Sequence, residues 1–114
     1  MLNLEIDTTG SFVTATLRGE LGSSDIESFA DALHDHAAGE GARLAIDLSA
    51  LASIDSTGLS ALINLVTRAR LSQGRVILVA PTPLVSGVLN VTRLDSWFEV
   101  CDTLDAADRR FANG

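Results

Sequence analysis

The stretch that most constrains the fold runs from residue 43 to residue 74, and it divides into a strand, a loop and a helix. Over residues 44–48 every second side chain is a large aliphatic one, which is the two-residue period of a strand with one buried face. A loop is expected over residues 50–55. This loop ends on Ile54 and Asp55, directly before a helical pattern begins.

The helix after the loop has one strongly apolar face. Ser56 is expected at its start, and Gly74 is a suitable residue to end it. The central strand and its loop therefore place Asp55 and Ser56 at the amino end of a helix. The apolar residues follow the i, i+3, i+4, i+7 spacing of a single helical face, and they are Leu59, Leu62, Ile63 and Val66.

The amino end of a helix gives Ser56 two alternative roles. The first turn has unpaired backbone N–H groups and a partial positive charge, so a phosphoryl group on this hydroxyl would be stabilised there. The Asp55 carboxylate would orient the hydroxyl or repel an added charge, and Gly58 would leave the approach uncrowded. The simpler alternative is helix capping, the more frequent use of Ser and Asp at such a position.

The chain opens with two strands, over residues 2–7 and 13–18, in which polar and apolar residues alternate. The turn composition of residues 8–11 joins them into a hairpin. Both strands have a polar face, so the sheet should carry its helices mainly on one side.

The first helix should follow a loop over residues 19–24. Its apolar stripe extends from Ile26 to Ala37. Ser23 or Ser24 is the expected cap, with Glu27 completing a capping box with Ser24.

Strands and helices alternate in the rest of the chain. A strand is expected over residues 75–80 and a short one over 97–101. Thr82 and Pro83 should start the helix between them, and Asp102 or Thr103 should cap a final helix ending near Phe111. This alternation implies right-handed crossovers. We therefore predict a single α/β domain over residues 1–114, with a mostly parallel sheet of four to five strands.

Charge and composition exclude several classes of function. Eight basic against fifteen acidic residues give a net charge of -7, which disfavours nucleic acid and anionic membranes as partners. No apolar stretch approaches the roughly twenty residues that span a bilayer. The first residues also lack the pattern of a signal peptide. We expect a cytoplasmic protein in which Cys101 is a small buried residue and not a reactive thiol.

Other kinds of site fit the sequence poorly. His34 and His36 lie two residues apart on a helix and point in different directions, so they do not pair as zinc ligands. Ser56 lacks a nearby histidine base for a catalytic triad. A response-regulator receiver would need a lysine, and the chain contains none. We expect no metal and no cofactor.

The segment IDLSALASIDSTGLSALINL resembles the central motif of the STAS domain, the fold of bacterial anti-sigma factor antagonists. The resemblance continues through Gly19-Glu20-Leu21, RVILVAPTPLVSGVLNVTRLDSWFEV and TLDAA, and covers nearly the whole chain. In that family the serine after the aspartate, in an Asp-Ser-Ser/Thr-Gly-Leu motif, is phosphorylated. By resemblance, that serine is Ser56.

The resemblance implies a switch protein and not an enzyme. The unphosphorylated form would bind an anti-sigma factor that is also a serine kinase, and so free a sigma factor. The kinase would phosphorylate Ser56, and a metal-dependent serine phosphatase would reverse this. The residues that the resemblance places on the partner-binding surface are Glu20, Gly22, Ser23, Ser24, Asp25, Asp55, Thr57, Gly58 and Leu59.

One departure from the family pattern bears on the partner. The family commonly has an aspartate after Gly-Glu-Leu that takes part in partner recognition, whereas this chain has Gly22. Asp25 compensates from the first turn of the helix, or the partner contact is altered. The alternative function is a STAS subunit of another assembly, such as a lipid-transport ATPase or a stressosome-like scaffold, without a phosphorylation cycle.

Overall fold

A five-stranded sheet with strand order β1-β2-β3-β4-β5 organises the computed structural model, which describes residues 2–113. The strands are β1 Leu2–Asp7, β2 Val13–Leu21, β3 Arg43–Ile54, β4 Arg75–Val79 and β5 Glu99–Cys101. A 3₁₀ turn, Ser23–Asp25, precedes the first of the helices, which are α1 Ile26–Ala38, α2 Ser56–Leu71, α3 Pro83–Val91 and α4 Leu104–Ala112. β1 and β2 form the antiparallel hairpin, and every other neighbouring pair is parallel.

The two faces of the sheet carry unequal layers. Alternate residues of a strand point to opposite faces. Leu44 and Ile46 of β3 belong to the larger core, which α1, α2 and α3 cover. Ala45, between them, belongs to a smaller cluster with Phe111 of α4. The predicted fold class is confirmed, because the sheet is mostly parallel, opens with a hairpin and has its helices mainly on one face.

β2 and β3 are longer than the sequence pattern predicted. The loops expected over residues 19–24 and 50–55 are wrong in part, since residues 19–21 belong to β2 and residues 50–54 to β3. The β2–β3 register shifts twice, and each shift places an extra residue in β3. Leu48, Leu51 and Ile54 are consequently buried at intervals of three, which hides the two-residue period of a strand.

The N-cap residues predicted from the sequence are found in α3 and α4 but not in α1. Thr82 caps α3 with Pro83 in its first turn, as predicted, and Thr103 caps α4. The predicted cap of α1 is wrong: Asp25 holds that position, and its side chain makes no capping hydrogen bond. Its Oδ1 instead accepts the backbone N–H of Leu2 at 3.2 Å. A contact with a distant strand therefore replaces the expected local capping box.

Two further sequence predictions concern the end of α2 and the burial of Cys101. α2 ends at Leu71, and Gln73 adopts the left-handed conformation with φ 62°. Gly74 is needed for space, because an added Cβ would lie 2.8 Å from the Ala42 carbonyl oxygen. Cys101 is buried in β5, as predicted.

Arg75 joins β4, β5 and α4 at the edge of the sheet opposite the hairpin. Arg75 donates to both carboxylate oxygens of Glu99, from Nε at 2.9 Å and from Nη2 at 2.7 Å. It also donates to the carbonyl oxygen of Arg110 in α4 at 2.8 Å. The Arg75 guanidinium therefore holds the pKa of Glu99 below its ordinary value.

Candidate functional site

The candidate site lies where β2 and β3 end side by side. These strands are parallel, so their carboxyl ends meet at one edge of the sheet. Leu21 is paired with Ile54 there. The backbone N–H of Asp55 donates to the Leu21 carbonyl oxygen at 3.3 Å. The segment after β2 is thereby docked against the residues that start α2.

Asp55 joins these two segments through its side chain. It is the N-cap of α2, and its Oδ1 accepts the Gly58 N–H at 2.8 Å. Its Oδ2 accepts the Ser23 N–H at 3.3 Å. One carboxylate therefore satisfies an amide of the helix and an amide of the turn that follows β2.

Ser56 is the first residue of α2, and its side chain is exposed. The cap role considered for it belongs to Asp55, and no hydrogen bond within residues 2–113 involves the Ser56 hydroxyl. The hydroxyl is accessible from solvent without any rearrangement of the core. It also lies at the positive end of a 16-residue helix, where an anion is favoured.

Gly58 has a different role from the one inferred from sequence. It is buried, and a Cβ at this position would lie 2.2 Å from the Leu21 carbonyl oxygen. The lack of a side chain therefore allows α2 to pack directly on the backbone of β2. Leu59 is also buried, at 8% exposure. Both residues therefore belong to the buried side of the first turn of α2 and not to its exposed surface.

The other residues predicted at the partner surface surround this point. Glu20, Ser23, Ser24 and Thr57 are exposed, and Asp25 is half-buried. Gly22 lies against the cap: a Cβ built on it would be 3.0 Å from Asp55 Oδ2. The resemblance placed residues 22 and 55 on one surface, but this specific contact was not predicted, because no local sequence pattern indicates it. The structure thus places the predicted residues in one region, and their part in binding stays a prediction.

Two other kinds of site are absent from the described part of the chain, namely a cluster of metal ligands and a membrane-spanning helix. Within residues 2–113 no group of three or more His, Cys, Asp or Glu side chains is placed to hold a metal ion. His34 Nε2 lies 3.4 Å from Arg68 Nη1. No helix in these residues is both long enough and apolar enough to cross a membrane.

Comparison with known proteins identifies the architecture around this helix start. The sequence model of the STAS domain family matches residues 3–107 of this chain. The chain belongs to the STAS domain family. Its STAS fold is shared with a candidate anti-sigma factor antagonist from Thermotoga maritima, at 26% identity and a TM-score of 0.80 over 98% of this chain and 95% of the other.

Two further solved structures share the STAS fold. An anti-sigma factor antagonist from Mycobacterium paratuberculosis aligns at 23% identity with a TM-score of 0.86, covering 98% of this chain and 95% of the other. The Bacillus cell-fate determinant SpoIIAA in its phosphorylated form aligns at 24% identity with a TM-score of 0.70, covering 96% and 98%. The structural neighbours of this STAS domain thus include anti-sigma factor antagonists.

Proposed function

We propose that this STAS domain is an anti-sigma factor antagonist that is switched off by phosphorylation of Ser56. In its unphosphorylated form the chain binds an anti-sigma factor serine kinase in the cytoplasm and so releases a sigma factor. The kinase then modifies Ser56 and ends the interaction, and a serine phosphatase restores the binding form. The chain acts in this cycle as a binding partner and substrate, without a cofactor.

The observation that carries the proposal is the position of Ser56. Its side chain is exposed at the first residue of α2, and Asp55 provides the cap, so the hydroxyl is free to react. A kinase can reach it without unfolding the helix. The likeness to SpoIIAA, which is known in both an unphosphorylated and a phosphorylated form, supports the same assignment.

Charge alone is sufficient for the switch. Phosphorylation adds about -1.5 to -2 charges at neutral pH. If the partner covers Ser56, this charge is buried without a counter-charge, at a cost of about 3 to 5 kcal/mol. Such a cost weakens binding by about two to nearly four powers of ten. The helix start accommodates the phosphate, so the chain keeps its fold.

The first experiment maps the modification. The purified chain is incubated with ATP and the anti-sigma factor kinases of its own genome, and the label is located by mass spectrometry. We expect a single phosphate on Ser56, none in Ser56→Ala, and normal labelling in Thr57→Ala. Label on Thr57 instead would rule out Ser56 as the acceptor, and no label with any kinase would rule out the phosphorylation cycle.

The second experiment separates charge from shape at the interface. Ser56→Asp and Ser56→Asn place side chains of equal size at the helix start, and only the first is charged. We expect Ser56→Asp to bind the kinase at least about tenfold more weakly than Ser56→Asn, since part of the phosphate charge is reproduced. Equal affinities would favour the alternative, a STAS subunit that binds its partner without a phosphorylation cycle.

A further inference from the structure

Asp55 is the only side chain that joins the phosphoacceptor helix to the turn after β2 by hydrogen bonds within residues 2–113. We propose that Asp55 transmits phosphorylation of Ser56 to the turn Ser23–Asp25, and that Gly22 is the residue that makes this coupling possible. This inference rests on the proposed modification of Ser56. It assigns the carboxylate of Asp55 and the bare backbone at Gly22 a positioning role in the switch.

The two hydrogen bonds of Asp55 differ in strength. The bond from the Gly58 N–H to Oδ1 is 2.8 Å long and partly buried inside the first turn of α2. The bond from the Ser23 N–H to Oδ2 is 3.3 Å long and exposed to solvent. A longer, solvated hydrogen bond contributes less, so the contact with Ser23 is the one that a perturbation breaks first.

Gly22 allows the weaker bond to form. A Cβ at this position would come within 3.0 Å of Asp55 Oδ2, which is closer than nearly all Cβ contacts in proteins. A side chain here would therefore press against the carboxylate, and a shift of a few tenths of an ångström would lengthen its bond to the Ser23 amide. The glycine that departs from the family pattern thus leaves room for the contact between Asp55 and Ser23.

A phosphate on Ser56 acts on Asp55 in two ways. Its charge lies on the residue next to the carboxylate and repels it. It also competes for the free N–H groups of the first helical turn. Asp55 keeps its shorter bond to Gly58 and loses the longer one to Ser23.

The loss of the hydrogen bond between Ser23 and Asp55 should affect only the near end of the turn. The Asp25 N–H donates to the Gly22 carbonyl oxygen at 2.9 Å, and Asp25 Oδ1 accepts the Leu2 N–H at 3.2 Å. Both bonds are independent of Asp55, so the far end of the turn stays attached. Ser23 and Ser24 are exposed members of the predicted partner surface. Phosphorylation would therefore change the shape of this surface as well as its charge.

The experiment uses the full chain with phosphoserine incorporated directly at position 56, so that no kinase or partner is needed. Amide exchange with solvent is measured residue by residue by NMR. We expect the Ser23 amide to exchange about two- to threefold faster after phosphorylation, the change that a hydrogen bond at the weak end of the ordinary range produces. The Asp25 amide is the internal control and should be unchanged.

Two variants test the route of the coupling. Asp55→Asn keeps one oxygen for Gly58 but loses the second acceptor, so Ser23 should exchange rapidly with or without phosphate. Gly22→Ala should accelerate exchange at Ser23 in the unmodified chain. An unchanged Ser23 amide in the phosphorylated protein, or a full phosphate effect in Asp55→Asn, would overturn the inference. The proposed function fails by different measurements, namely the kinase label and the partner affinity.

Discussion

Replacement of Gly58 by alanine tests whether α2 really rests on the backbone of β2. The added Cβ would lie 2.2 Å from the Leu21 carbonyl oxygen, whereas ordinary contact starts at 3.4 Å. The obstructing atom belongs to the backbone of a buried strand residue and cannot rotate away. The first turn of α2 must therefore move outward by about 1 Å, a displacement that also stretches the hydrogen bond from Asp55 N to Leu21 O.

The expected loss of stability combines three effects. Forcing extra volume into a packed site costs about 1 to 3 kcal/mol. Weakening the hydrogen bonds that dock Asp55 costs about 1 kcal/mol more. Alanine returns about 1 kcal/mol, because it is a better helix former than glycine. The net loss is about 2 kcal/mol, or a fall of about 8 °C in Tm for a chain of this size.

Urea unfolding followed by circular dichroism measures this loss, and Gly87→Ala is the matched control. Gly87 also lies in a helix, but a Cβ added there meets nothing within 4 Å. This control should gain about 1 kcal/mol, so the two variants should differ in sign. If Gly58→Ala were as stable as the wild-type chain, the packing of α2 on Leu21 would be wrong.

Two further perturbations give distinct expectations. Glu99→Gln should lower the free energy of unfolding by about 1 kcal/mol at pH 7, because the pair with Arg75 is only partly shielded from water. Arg75 holds the pKa of Glu99 below its ordinary 4.5, so this contribution is present above that pH and disappears as the pH falls through the lowered pKa; equal losses in urea at pH 7 and pH 3 would contradict it. Thr82→Val removes both the cap of α3 and the 3.1 Å bond to the Leu51 carbonyl oxygen, and should cost about 1 to 2 kcal/mol. Thr103→Val removes only a cap and should cost less, so equal losses in thermal unfolding would show that the Leu51 bond contributes nothing.

Local chemistry made much of the fold predictable from the sequence. The start of α3 follows from Thr82 and Pro83, since a capping hydroxyl and a fixed proline φ act within a few residues. The alternation over residues 44–48 likewise identifies the first half of β3. Its second half could not be recognised, because the register shifts against β2 replace the two-residue period with intervals of three.

The candidate site was predictable in position but not in its internal contacts. The Asp-Ser-Thr-Gly pattern places Asp55 and Ser56 at a helix start, and the structure agrees. The approach of Gly58 to Leu21, and of Gly22 to Asp55, joins segments more than thirty residues apart in the chain. Such contacts depend on how two strands end beside each other, which no local pattern records.

The unequal lengths of the strands determine which parts of the molecule an enzyme meets when it approaches Ser56. β3 is paired with β4 only as far as Asp47, while its pairing with β2 continues to Ile54. Beyond Asp47 the edge of β3 is therefore not paired with β4, and the cap residue of α3, Thr82, donates to the Leu51 carbonyl oxygen there. Ser56 thus follows the part of β3 that is paired with β2 and no longer with β4, and an enzyme that approaches it meets the ends of β2 and β3 and the first turn of α2.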